Sequence, residues 1–326
     1  MGAVTGRILA SVAAVQHPYP PEPGEARLED PIEEGAAALP DGRRLGYARF
    51  GDPAGDPIFY FHGMPGARRQ IPVGAPEAAR ALGLQIIGVE RPGVGYSTNH
   101  HYGQVRDFVP DFVALLDHLG IDKFIVSGLS GGGPFVLAVS HDLPDRTVAG
   151  FVFGGVGPLA GADMSPGALS LARILSPIVS RVRAPLGAAA SLAIKPLLPH
   201  GRTVLDLYAR YLGGADRPAF NQPGMKTTFL NDLVGAGQAR LHGIANDMVM
   251  FTREWGFRLA DIEVPIKMWW GTADHIVPVA HATHQASNIP NSTLRLRKGE
   301  GHFSGFMVHH EWLPAAREAF DNHAGV

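Results

Sequence analysis

The chain of 326 residues contains no cysteine. This absence excludes disulfide bonds, thiolate metal ligands and a cysteine nucleophile, while it leaves the redox compartment open. Neither sign of charge is in large excess, because the formal net charge is −2, and lysine and arginine form no run. We therefore expect no nucleic-acid partner. No stretch of about 18 apolar residues is present, so we expect no transmembrane span.

The first 34 residues are predicted to form a poorly defined N-terminal arm. An apolar run over 8–15 follows Arg7, contains Ser11 and is about eight residues long, so a frayed helix or a packed arm is favoured over a secretory signal. We expect a cytoplasmic protein, with secretion as the open alternative. The proline-rich stretch 17–23 fits neither a helix nor a central strand.

Short apolar runs alternate with helix-compatible segments over 35–155 and 246–326. Strands are predicted over 44–50, 58–61, 85–89, 124–126, 148–153, 266–270 and 293–296. Helices are predicted over 75–82, 105–119, 132–141, 280–287 and 312–322. Short apolar strands that alternate with helices indicate an α/β fold, in which a mainly parallel sheet is flanked by helices. The two ranges together are the predicted core domain.

Between 156 and 245 the alternation stops, and we predict an inserted helical cap. Apolar residues recur there at three- and four-residue spacing, with Pro177 inside the pattern. They are Leu171, Ile174, Leu175, Ile178, Val179 and Val182. Packing of this stripe against the core is favoured. A lid over an apolar substrate, or a weak contact with a membrane surface, is the open alternative.

The segment 126–133 carries the clearest chemical signal. An apolar run over 124–126 leads into Gly128-Leu129-Ser130-Gly131-Gly132, and a helix-compatible run follows. A serine hydroxyl is a poor nucleophile unless it is sharply presented and a base takes its proton. A strand-to-helix turn presents it, and glycines at 128 and 132 leave room for that turn. Ser130 is therefore the candidate nucleophile, although the bare motif is also compatible with an ordinary turn.

A serine nucleophile needs a base and an orienting acid, and both candidates follow late strands. His302 lies in a glycine-flexed loop after the last predicted strand, and Asp274 lies in a turn after the strand 266–270. Taken alone, Asp274 fits an ordinary turn or N-cap aspartate better. The order Ser130, Asp274, His302 reverses this, because it is the chain order of triads built on successive strand ends of one α/β sheet. Asp247 is the alternative acid.

An oxyanion hole is predicted from the loop 62–66, His-Gly-Met-Pro-Gly, which follows an early strand. The backbone N–H groups of Met64 and Gly131 are expected to converge on the negative oxygen that develops during the reaction. Pro65 has no N–H and stiffens the loop. His62 is interpreted as a structural residue that makes hydrogen bonds and not as a second base.

These stretches occur together and in a fixed order along the chain. They are 62–66, 90–97 (Glu-Arg-Pro-Gly-Val-Gly-Tyr-Ser), 128–132, and the pair Asp274 and His302. In this order they resemble the α/β-hydrolase superfamily, in its serine-nucleophile, esterase-like branch. The resemblance implies an eight-stranded sheet, a cap inserted after the sixth strand and a Ser–His–Asp triad. Glu90 stands where members often carry Asp, an exchange that we expect to be neutral.

Departures from the pattern narrow the branch. Serine at the nucleophile position argues against the epoxide-hydrolase and haloalkane-dehalogenase branches, because a chain that resembled those branches would carry Asp there. The nucleophile turn lacks the Trp typical of proline iminopeptidases, and Met64 replaces their second glycine. His281 and His284 are three residues apart, with His275 nearby, but no carboxylate pattern accompanies them, so we expect no metal and no cofactor.

The sequence thus predicts a serine hydrolase that cleaves a carboxylic ester or related acyl compound. The expected substrate is an apolar small molecule. Hydrolysis of a thioester or a carbon–carbon bond by the same triad is an alternative, because fold and triad do not select the substrate. A non-catalytic ligand-binding protein on the same fold is the alternative from another class. The oligomeric state is left open.

Overall fold

The computed structural model describes residues 29–166, 200–211, 214–236 and 242–325. The predicted arm up to residue 28 and the apolar stripe over 171–182 lie outside these residues.

Eight strands form one sheet in the order β1-β2-β4-β3-β5-β6-β7-β8. The strands are β1 (Glu33–Ala38), β2 (Arg44–Gly51), β3 (Asp56–Phe61), β4 (Leu84–Val89), β5 (Phe124–Leu129), β6 (Thr147–Phe153), β7 (Ile266–Gly271) and β8 (Ser292–Arg297). β2 pairs antiparallel with both of its neighbours, and every other pairing is parallel. The predicted α/β class with a mainly parallel, eight-stranded sheet is confirmed.

Helices connect the strands, as the alternation of the sequence predicts. The α-helices of the described residues are α1 (Ala75–Ala81), α2 (Val109–Leu119), α3 (Gly133–Asp142), α4 (Gly201–Tyr211), α5 (Arg217–Phe220), α6 (Met225–Ala236), α7 (His242–Phe251), α8 (Val279–Asn288), α9 (Ser304–Met307) and α10 (His309–Ala324). Helices α4 to α7 lie between β6 and β7 in the chain, where the cap is predicted; the cap itself stays a prediction. None of the helices in the described ranges is long and apolar enough to cross a membrane.

Both faces of the sheet are buried, because successive side chains of a strand point to opposite faces. Phe59 of β3 packs edge to face on Phe112 of α2, with ring centroids 4.9 Å apart. Tyr60, the next residue, faces the other side and meets Phe306 of α9. The central strands β4, β5 and β6 are buried along their whole length. Their apolar runs are thus typical of inner strands of a sheet that is covered on both faces.

The chain direction across the sheet reverses between β3 and β5, which are neighbours although β4 separates them in sequence. In such sheets, ligands bind outside the carboxyl ends of the strands at this switch point. Phe61, the last residue of β3, pairs in register with Gly128 of β5. The loop 62–66 and the Ser130 turn therefore leave the sheet side by side.

Two features were not predicted from the sequence. The strand β1 begins at Glu33 and pairs with β2 at the edge of the sheet. The predicted helix over 105–119 begins as a 3₁₀ turn, Val105–Phe108, and becomes an α-helix at Val109. A similar 3₁₀ turn, Ser130–Gly132, precedes α3.

Candidate active site

Ser130 lies at the tight turn between β5 and α3. It has a φ of 52°, and it is the one non-glycine residue with positive φ in the described part of the chain. This left-handed conformation is unfavourable for a residue with a Cβ atom. The turn is close to its neighbours, since a Cβ on Gly132 would collide with the Phe61 carbonyl oxygen. Ser130 therefore lies on a strained strand-to-helix turn, and its role as a nucleophile stays a prediction.

Asp274 follows β7 and is buried, with both carboxylate oxygens in hydrogen bonds. Its Oδ1 accepts the backbone N–H groups of Ile276, at 2.9 Å, and Val277, at 2.8 Å. The indole N–H of Trp270 donates to the Val277 carbonyl oxygen at 3.0 Å and so holds the same turn against the strand. These bonds orient Oδ2 toward its partner on the next loop.

His302 is that partner, and its Nδ1 lies 2.7 Å from Asp274 Oδ2. A carboxylate only accepts hydrogen bonds, so Nδ1 is the donor, and in the neutral imidazole this tautomer leaves the lone pair on Nε2. The loop of His302 crosses the end of β7, where a Cβ on Gly271 would collide with the carbonyl oxygens of Glu300 and Gly301. The imidazole also lies against Gly154, after β6. The structure thus brings the candidate base and the candidate acid within hydrogen-bond distance, and their catalytic roles stay a prediction.

Ser130 and His302 line one cavity of about 280 Å³ at the carboxyl edge of the sheet. The other described residues of its walls are mostly apolar and come mainly from the loop 62–66, from α4 to α6 and from the His302 loop. They are Gly63, Met64, Pro65, Gln70, Leu129, Leu205, Phe220, Phe229, Leu230, Leu233, Ile276 and Phe303. Small-molecule sites usually measure about 300–1,000 Å³, so this cavity lies just below that range.

The loop 62–66 lies next to the Ser130 turn, since a Cβ on Gly131 would be 3.3 Å from the Met64 Cβ. Arg91 donates to the carbonyl oxygens of His62, at 2.5 Å, and Gly63, at 3.1 Å. In a trans peptide unit the C=O and the following N–H point in opposite directions. The Met64 N–H therefore points away from Arg91, and the guanidinium determines the direction of this proposed oxyanion donor.

Gln70 secures the same loop from its other end. Its Oε1 accepts the Gly63 N–H at 2.6 Å, and its Nε2 donates to the Pro65 carbonyl oxygen at 3.0 Å. The Gln70 side chain is almost fully buried. The backbone of residues 63–65 is consequently held by side chains on two sides, which is what a preorganised hydrogen-bond donor requires.

His62 is a structural residue, as expected from the sequence. Its Nδ1 donates to the Gly63 carbonyl oxygen at 2.7 Å, and its Nε2 accepts the Arg91 backbone N–H at 3.4 Å. Burial, together with the nearby Arg91 charge, lowers its pKa well below the ordinary value of histidine. A neutral imidazole with both nitrogens engaged does not serve as a second base.

Asp247, the alternative acid, does not approach His302. It lies on α7 and forms a buried ion pair with Arg91, with Nε to Oδ2 at 2.8 Å. The pairing was not predicted from the sequence, because the partners are 156 residues apart. Their contact nevertheless connects α7 to the loop that carries Met64.

The histidines considered as metal ligands make structural hydrogen bonds. His281 is buried, and its Nδ1 accepts the Gly157 N–H at 3.1 Å. The Nε2 of His284 contacts the Asp163 carbonyl oxygen at 2.9 Å. Burial lowers the pKa of His281 to about 4. Within the described ranges, no cluster of three or more His, Asp or Glu residues is arranged to hold a metal ion.

The chain is similar to a family model and to several known proteins. A family model described as the alpha/beta hydrolase fold matches residues 56–183. The dihydrolipoyllysine-residue acetyltransferase component of the acetoin cleaving system of Cupriavidus necator is 26% identical over 290 residues, which are 86% of this chain and 68% of that protein. A proline iminopeptidase of Arabidopsis thaliana is 31% identical over 133 residues, which are 39% of this chain and 33% of that enzyme.

Among solved structures, a thermophilic esterase from Thermogutta terrifontis is similar over 89% of this chain and 99% of its own. The TM-score is 0.62 and the sequence identity is 17%. At this level of identity the similarity shows a shared fold and not a shared substrate.

Proposed function

We propose that this chain, whose residues 56–183 match a family model of the alpha/beta hydrolase fold, is a serine hydrolase of carboxylic esters or related acyl compounds, with Ser130 as the nucleophile. The observation that carries the proposal is the 2.7 Å hydrogen bond between His302 and Asp274 at the wall of a cavity that Ser130 also lines. A nucleophile and a base at one cavity, with an orienting acid bonded to the base, are the parts that acyl transfer requires.

In this mechanism the Ser130 hydroxyl attacks the substrate carbonyl carbon while His302 Nε2 accepts its proton. Asp274 holds the imidazole through Nδ1 and stabilises the imidazolium that forms. The N–H groups of Met64 and Gly131 bind the oxyanion. His302 then protonates the leaving alcohol, and an acyl-enzyme remains. A water molecule, deprotonated by His302, attacks this ester and releases the acid and free Ser130. No cofactor takes part.

The lining of the cavity supports an uncharged, apolar acyl group. Phe220, Phe229 and Phe303 provide aromatic walls, and no carboxylate is among the described residues that line the cavity. A substrate with a free amino terminus would leave its ammonium group without a counter-ion there, which is costly in an apolar site. We therefore favour a small apolar ester over the amino-terminal peptide that an iminopeptidase acts on.

A fluorophosphonate probe tests the nucleophile directly. We expect wild-type protein to be labelled at Ser130, and Ser130→Ala to abolish labelling. Ser287→Ala, which removes an exposed hydroxyl from α8, is the matched control and should be labelled like the wild type. An unlabelled wild type would refute the hydrolase proposal and favour the non-catalytic, ligand-binding alternative.

A graded substrate panel then separates the chemical alternatives. Esters of p-nitrophenol with increasing acyl length, and the matching acyl thioesters, are compared by kcat/KM. We expect turnover to be highest for short, uncharged acyl groups, because the cavity measures about 280 Å³. Labelling by the probe without turnover of any ester would instead favour the thioester or carbon–carbon alternative.

A further inference from the structure

Two buried aspartates from the segment between β6 and β7 contact the two loops of the candidate site. Asp216 precedes α5 and Asp232 lies on α6, and both carboxyl groups are almost fully buried. A buried carboxylate is costly unless hydrogen bonds compensate the loss of water. The partners of these two groups therefore indicate what they do.

Asp216 contacts the backbone of the proposed base. Its Oδ1 accepts the Phe303 N–H at 2.8 Å. The contact is close, because a Cβ on Gly301 would collide with the carboxylate. The acid thus binds the peptide unit that follows the His302 Cα and leaves the side-chain bond between His302 and Asp274 untouched.

Asp232 makes the equivalent contact with the loop on the opposite side. Its Oδ2 accepts the Ala67 N–H at 2.6 Å, and its Oδ1 accepts the Arg69 N–H at 3.1 Å. Ala67 directly follows the loop 62–66. The next residue after Arg69 is Gln70, which holds Gly63 and Pro65. Through this short path, α6 is connected to the backbone that carries the Met64 N–H.

We propose that Asp216 and Asp232 are positioning residues, through which the segment between β6 and β7 holds the His302 loop and the Met64 loop in register across the cavity. This inference rests on the proposed hydrolase function for its catalytic consequence, but its structural part does not require turnover. The same segment supplies Phe220, Phe229 and Leu230 to the cavity wall. One inserted segment therefore shapes the acyl pocket and orients the groups that act in it.

Amide hydrogen exchange at pH 8 tests the structural part. We expect Asp216→Asn to raise exchange at least tenfold in peptides that contain residues 302–303, and Asp232→Asn to do so in peptides that contain 67–69. An asparagine has one accepting oxygen, so Asp232→Asn loses one of the two bonds. In Asp216→Asn a neutral amide oxygen accepts the Phe303 N–H more weakly than the carboxylate does. Asp206→Asn is the matched control, because Asp206 lies on α4 and pairs at the surface with Lys226. Unchanged exchange in both loops would overturn the inference.

Kinetics test the catalytic part on an ester that the wild type hydrolyses. Both variants are expected to lower kcat by about 10- to 100-fold, with KM changed less than threefold, because small displacements of catalytic groups impair the reaction more than binding.

The two proposals fail separately. A wild type that the fluorophosphonate probe does not label refutes the hydrolase function, and hydrogen exchange still decides the positioning role. A labelled wild type with kcat and exchange unchanged in both variants refutes the positioning role alone. Circular dichroism confirms that each variant is folded. Where an asparagine variant does not fold, the serine variant at the same position replaces it in the same measurements.

Discussion

The conformation of Ser130 stores strain at a single residue. Its φ of 52° lies in the left-handed region, which costs a residue with a Cβ atom about 1–2 kcal/mol. We expect Ser130→Gly to be more stable than Ser130→Ala by about 1 kcal/mol, since glycine relieves the strain, and the greater unfolded-chain entropy of glycine offsets only part of that gain. Both variants lack the nucleophile, so activity is equally lost. Urea unfolding of the pair gives the difference; equal midpoints would contradict a strained turn.

Sequence position grouped Ser130, Asp274 and His302 as candidates, and the structure pairs Asp274 with His302 and places Ser130 and His302 at one cavity. Each follows a strand of one parallel sheet, so their meeting at its carboxyl edge depends only on the order of elements. Arg91 and Gln70 could not be assigned in this way. Their contacts are with backbone oxygens and N–H groups of the loop 62–66, and these depend on the path of the main chain. The residue types along the sequence do not predict that path.

The end of β7 determines where the His302 loop can pass. A Cβ on Gly271 would collide with two carbonyl oxygens of that loop, so Gly271→Ala must displace it. We expect kcat to fall by about 100-fold with KM nearly unchanged, because a shift of about 1 Å at a catalytic group has this effect. Gly214→Ala is the control, since a Cβ there meets no atom within 4 Å. Similar kcat values for the two variants would contradict the close crossing.

Elements were predictable where periodicity is strong and were missed where a partner determines them. The inner strands β4 to β6 are continuous apolar runs and were identified within a few residues of their ends. The strand β1 has the sequence Glu-Glu-Gly-Ala-Ala-Ala, which carries little intrinsic strand preference. It is a strand because it pairs with β2 along six residues in register. Such pairing is a tertiary effect that a local pattern does not contain.

At the scale of the whole molecule, buried charges connect segments that are distant in sequence. Arg68 lies between Glu34 of β1, at 2.9 Å, and Glu90 after β4, at 2.5 Å. Its guanidinium also stacks 3.6 Å from the centre of the Tyr96 ring. Buried pairs of this kind add little net stability but are costly to break. They join the edge of the sheet to the loop that Asp232 holds from the other side, so the first strand is part of the support of the site.

The same buried cluster predicts how stability depends on pH. Burial raises the pKa of Asp232 from its ordinary value of 3.8 to about 7, and Glu90 adds to the shift while Arg68 and the two backbone donors oppose it. Tyr60 also faces this carboxyl group. Between about pH 4 and pH 7 the folded protein keeps a proton on Asp232 that the unfolded chain has released. The free energy of unfolding should therefore fall as pH rises through this window, by at most about 1.4 kcal/mol per pH unit.

Asp232→Asn removes the titrating group and should flatten this decline. Urea unfolding at pH 4.5, 5.5, 6.5 and 7.5 measures the slope in the wild type and in the variant. The exposed carboxylate of Asp206 has no such environment, so Asp206→Asn should retain the wild-type slope. Above pH 7 the wild type thus has a lower free energy of unfolding, and its ionised Asp232 accepts the Ala67 and Arg69 N–H groups. Parallel slopes in the wild type and Asp232→Asn would mean that this carboxyl group does not titrate in the window, and that the loop 67–69 is held by a group of constant charge.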